Sequence, residues 1–143
     1  MRAFARRLSS RFPRASHDGI DLLIGDPRLV DDAEDFFART IEALRCAATH
    51  APAAYAGLRK DLSAIVLRSE TAGPPYQRFQ LAALVPRPVA LEADPVAYAT
   101  WLLYASGLAR GTQEADDRAS ELLRTVESDR REDVEAWLPR TER

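Results

Sequence analysis

The residues of this chain that could do chemistry are few and scattered. There are two histidines, His17 and His50, and one cysteine, Cys46. Catalytic zinc needs three protein ligands and an open fourth position, and the two histidines do not stand at helical ligand spacing. Cys46 lies four residues before His50, so on a helix the two would share one face and could act as a pair of ligands. At a helix end such residues more commonly pack and cap. Ser16-His17-Asp18 is not a catalytic triad, because adjacent residues cannot point at one another in the required relay. No Gly-x-Ser-x-Gly elbow, phosphate-cradling loop or dinucleotide fingerprint occurs. Gly107 and Gly111 have GxxxG spacing, which outside a membrane signals close helix contact or helix termination. These residues point to no metal and no cofactor.

Charge is nearly balanced overall, at −2, but unevenly placed. Residues 1–14 hold Arg2, Arg6, Arg7, Arg11 and Arg14 and no acid, whereas residues 113–135 hold nine carboxylates against four arginines. The basic arm could grip an anion such as a phosphate, and the simpler expectation is a solvated or docked terminus. No aromatic stacking platform or base-reading helix supports nucleic-acid recognition. A single cysteine rules out an internal disulfide and favours a reducing, cytoplasmic setting. The arginines through Met1–Pro13 break up any secretory signal core.

The elements that must position these residues centre on one stretch, Asp94 to Arg110. Asp94 suits an N-cap and Pro95 the first helical position. From Val96 to Ala109 there is no charge, and apolar residues lie on every side, as in a buried core helix. Fourteen residues are too few to span a membrane. Around this helix the chain reads, in order, as follows. Residues 1–16 form a basic amphipathic arm with Phe4, Leu8 and Phe12 at four-residue spacing. A short strand Ile20–Ile24 ends at Gly25-Asp26-Pro27. A helix runs from Val30 to Thr49 with an apolar face of Ala33, Phe36, Phe37, Ile41, Leu44, Ala47 and Ala48. Pro52 opens a shorter helix through Tyr55, Leu58 and Leu62. Ser63–Ser69 is a strand, and Tyr76–Val85 is its hairpin partner. Pro86 and Pro88 make Leu84–Leu91 an edge strand or a loop. A long acidic helix runs from Thr112 to about Leu138, ended by Pro139. The expected architecture is a basic arm, residues 1–16, and a single mainly helical α+β domain, residues 17–143, with a small antiparallel hairpin.

That order of elements carries a resemblance. A helix with Ala43-Leu44 leads to Pro52-x-x-Tyr55-x-x-Leu58, then to an Ile65-Val66-Leu67 strand, a hairpin from Tyr76, an apolar helix and a charged final helix. This resembles a group of small bacterial zincin-like metallopeptidase-domain proteins over roughly residues 30–138. In that group the apolar helix carries His-Glu-x-x-His followed by Ala-Arg. Laid over Leu102 to Arg110, the resemblance puts Tyr104 at the first histidine, Ala105 at the catalytic glutamate and Leu108 at the second histidine. Glu127, or Glu121 in another register, would correspond to a retained glutamate, a third ligand in the group. Histidines at i and i+4 grip one ion while i+1 presents a base to its water. Tyr, Ala and Leu supply none of this.

The resemblance therefore implies a degenerate, metal-free, non-catalytic member that acts by binding a protein. Its vacated groove near Tyr104, Leu108 and Glu127 would be the docking place. The alternatives are a hydrolase built from Glu121, Glu127, His50 and Cys46, or an adaptor binding nucleic acid or membrane through the arginine-rich arm. An exposed hairpin edge is also compatible with a homodimer.

Overall fold

The computed structural model describes residues 12–69 and 73–139. Its first strands, β1 (Ala15–His17) and β2 (Ile20–Ile24), form a tight antiparallel hairpin. The turn residues Asp18 and Gly19 have φ of 52° and 82°. Two positive values in succession define a type I′ turn, for which Asp-Gly is a favoured pair. Asp26 then caps a 3₁₀ turn over Pro27–Asp32 by accepting from the Arg28 amide. Helix α1 (Ala33–His50) follows, burying Phe36, Thr40, Ala43, Leu44 and Ala47 at three- and four-residue steps. Ala51 closes it, and Pro52 opens α2 (Pro52–Asp61).

Strand β3 (Ala64–Arg68) returns parallel to β2, so β2, the two helices and β3 form a crossover unit. The expected hairpin between Ser63–Ser69 and Tyr76–Val85 is not formed. Only Tyr76–Gln77 (β4) is antiparallel, and it pairs with β5 (Ala82–Pro86), which lies parallel to β3. The sheet is therefore mixed, in the order β1-β2-β3-β5-β4. Leu84–Pro86, read as edge strand or loop, belongs to a central strand. Ala82-Ala83-Leu84-Val85 is a continuous apolar run, as a parallel strand requires. Pro86 is tolerated because it is the last residue, where the ladder ends and α3 (Arg87–Glu92) begins.

The central helix is α4 (Pro95–Gly107). The Asp94 carboxylate accepts from the Ala97 amide at 2.9 Å, and every residue from Ala97 to Gly107 is buried. It is packed by α1, α2, α3, β5 and the two C-terminal helices α5 (Thr112–Leu123) and α6 (Ser128–Glu135). Its polar groups are satisfied locally. Thr100 donates to the Val96 carbonyl, and the Tyr98 and Thr40 hydroxyls share a hydrogen bond of 2.7 Å. The single acidic helix expected over 112–138 is broken into two at Arg124–Glu127. The Arg131 guanidinium turns back and donates to the Leu123 and Val126 carbonyls, satisfying the end of α5. The result is a mainly helical α+β domain with a small mixed five-stranded sheet. Among the described residues no helix is long and apolar enough to cross a membrane.

Candidate functional site

The positions that the zincin-like resemblance marks are held by packing. Tyr104 is 5 % exposed and lies against Ala115, Ala119 and Leu138, with Leu108 beside it, while Ala105 is fully buried. Leu108 closes the end of α4, its amide donating to the carbonyls of Tyr104 and Ala105. Tyr104 forms the contact between α4 and α5, Ala105 belongs to the main core, and neither an imidazole nor a base is there to serve a zinc ion. Among the described residues no group of three or more His, Cys, Asp or Glu side chains is placed to hold a metal. The residues present do not fit zinc.

Glu127 lies elsewhere. It is exposed at the start of α6 and lines a cleft of about 300 Å³ with His50, Val96, Leu122, Thr125, Val126 and Arg130. The cleft thus brings together two of the four groups available to a hydrolase, His50 and Glu127. Cys46 is one turn back on α1 and half-buried. Burial pushes its thiol pKa up, and the charges of Asp94 and Glu42 add to this, the opposite of an activated nucleophile. Glu121 is spent on structure, its carboxylate accepting from the amides of Ala53 and Ala54 at the start of α2. Of the basic arm, Arg14 pairs with Asp21 at 3.2 Å, and Arg2, Arg6, Arg7 and Arg11 lie outside the described residues.

The strongest buried electrostatics are at a place that sequence reasoning missed. Asp61 and Arg118 are the two buried charged residues among those described. Arg118 donates to Asp61 at 2.7 Å, to the Ser106 hydroxyl at 3.1 Å and to Glu114 at 2.8 Å. Arg110 donates to both Asp61 oxygens, at 3.0 and 3.1 Å. Gly57 leaves room for the Arg118 guanidinium, which a Cβ there would meet at 2.8 Å. Burial opposes ionisation of Asp61, but the hydrogen bonds and charges of Arg110 and Arg118 win and hold its pKa below the ordinary carboxylate value. Two carboxylates face two guanidiniums, and the donors have acceptors. This is a lock between α2, α4 and α5, with no group left over for a reaction.

A different kind of surface lies on the sheet. Ile20, Leu22, Ile24, Ile65, Leu67, Ala83 and Val85 belong to the helix-covered core. The alternate residues point the other way. There Leu23, Val66 and Leu84 stand in register across three strands, each half-buried and none packed into that core. Beside this row lie half-buried Asp21 and buried Ala64 and Ala82, also in register, and the pair of half-buried Arg68 and buried Pro86. Arg14 and Gln77 continue the same face onto the outer strands. The centre of this face is apolar and its margin is charged or polar. No family model, curated protein or solved structure matches the chain.

Proposed function

We propose that the chain is a non-catalytic, zincin-like domain that acts by binding a protein. The outer face of the sheet is the docking surface, and its occupant is a partner helix with one apolar side. The row Leu23–Val66–Leu84 carries this reading. Parallel strands are ordinarily covered on both faces, and an apolar centre ringed by polar residues is the usual anatomy of an interface. The turn before β5 also exposes apolar surface, with Phe79 95 % and Leu81 42 % exposed.

Size selects the occupant. The three parallel strands span about 10 Å and their five residues about 17 Å, a bed for one helix roughly 10 Å wide and three turns long. The non-catalytic part of the reading is supported by Tyr104 and Ala105, which are buried in packing, and by Leu108, partly buried beside Tyr104, none of which offers a zinc ligand or a base. The zincin-like part rests on the sequence resemblance at residues 102–110 alone, since the hairpin and the single final helix of the expected order are not formed.

A photo-crosslinking side chain introduced at Val66 or Leu84 tests the proposal, with the same group at Asp133 on α6 as control. The expected result is a crosslink from the sheet positions alone to one helical segment of one partner, lost in Leu84→Lys or Val66→Lys. Crosslinks only between two copies of the chain, or equal yields from the control, would overturn it.

A further inference from the structure

A second surface, independent of the sheet face, sets two cations beside a hollow at the end of α2. The Asp18-Gly19 turn and the last turn of α2 enclose a hollow of about 430 Å³ lined by Asp18, Gly19, Ala56, Arg59 and Lys60. Arg45, on α1, acts on the same Asp18 carboxylate, as do Arg59 and His17. Among the described residues neither Arg59 nor Lys60 makes an ion pair within 4.0 Å, so both guanidinium and ammonium are available at the rim. Basic residues at the end of α2 are favoured by the helix dipole, which accounts for Arg59 and Lys60 singly. It does not account for Arg45 on another helix, or for the hollow.

Asp18 is not a simple repulsive charge in this setting. Its Oδ2 accepts from the Tyr55 hydroxyl at 2.6 Å and lies 3.6 Å from His17 Nε2. That leaves Oδ1 as an acceptor at the rim of a hollow lined by two cations, Arg59 and Lys60. A carboxylate with a free lone pair accepts an O–H, while paired arginine and lysine hold a phosphate. A polyanion such as a nucleic-acid strand would need a track of cations longer than the two that line this hollow. We propose that this hollow binds a small phosphorylated polyol, with its phosphate on Arg59 and Lys60 and a hydroxyl on Asp18.

The test uses the full chain, amide NMR and glycerol 3-phosphate as probe. Saturable shifts are expected at Gly19, Arg59 and Lys60, with weaker binding of inorganic phosphate and none of glycerol. Arg59→Gln and Lys60→Gln, both exposed positions, should each weaken binding about tenfold or more. Asp18→Asn should bring glycerol 3-phosphate and inorganic phosphate to similar affinity. The proposal is overturned if chloride at matched ionic strength gives the same shifts, or if phosphate binds as tightly as the ester. Tighter binding of an oligonucleotide or of anionic vesicles through the same residues would overturn it as well.

Discussion

At the scale of single residues, the fold commits its buried charges to one junction. Arg118 is 4 % exposed, and its guanidinium is matched by Asp61, Glu114 and Ser106. Removing one partner of such a pair leaves an uncompensated buried charge, which costs far more than the pair itself contributes. Asp61→Ala should therefore destabilise the protein by about 3 kcal/mol, a large part of a typical stability. Urea unfolding at neutral pH reads this directly. Acid adds a second signature. The folded-state pKa of Asp61 is depressed, so its contribution is complete above the unfolded carboxylate value of about 3.9 and is lost as pH falls through the lower folded value. The gap between the native protein and Asp61→Ala should thus narrow below about pH 4. A gap independent of pH would assign the loss to packing. Nothing in the sequence marked this pair, because Asp61 and Arg118 are 57 residues apart and each reads locally as an ordinary charged helix residue.

At the scale of elements, the closest contact is between α4 and α5. A Cβ on Gly107 would lie 2.5 Å from the Ala115 Cα and 2.7 Å from its amide nitrogen. Backbone atoms cannot swing aside as a side chain can, so Gly107→Ala must push the helices apart. The expected cost is about 2–3 kcal/mol, read as a fall in thermal midpoint, and an unchanged midpoint would show that the interface yields freely. The GxxxG spacing announced both features found there, close contact at Gly107 and chain reversal at Gly111, whose φ is 118°. Periodicity also located α1, α2 and α4, because an amphipathic or wholly apolar helix is a local pattern. Sheet pairing was not legible in the same way. Parallel pairing of β2, β3 and β5 joins segments separated by whole helices, and no turn residue encodes it. The β1–β2 hairpin did leave a mark, Asp18-Gly19, but a first strand of three residues shows no alternation. The break between α5 and α6 has no Gly or Pro. Its only trace is polar Asp129 and Arg130 where an apolar stripe should continue.

At the scale of the whole molecule, the helices gather on one side of the sheet around α4, and the other side keeps an apolar row. The strands Ile20-Asp21-Leu22-Leu23-Ile24, Ala64-Ile65-Val66-Leu67-Arg68 and Ala82-Ala83-Leu84-Val85-Pro86 carry apolar residues on both faces. Such runs could be read as ordinary core until the structure separated the helix-covered side from the other. The candidate zinc positions were legible as lacking ligands. Their burial against Ala115 and Ala119 needed the fold, as did the separation of Glu127 into a cleft with His50. Leu23, Val66 and Leu84 should be open to solvent in the free protein, as the proposed docking surface requires. The most direct test is methyl NMR of the full chain with a water-soluble paramagnetic relaxation agent. The methyls of Leu23, Val66 and Leu84 should broaden strongly, while those of Leu22, Ile65 and Val85 on the opposite face stay sharp. Equal protection of both sets would contradict the claim, because the face would then already be covered within the free protein.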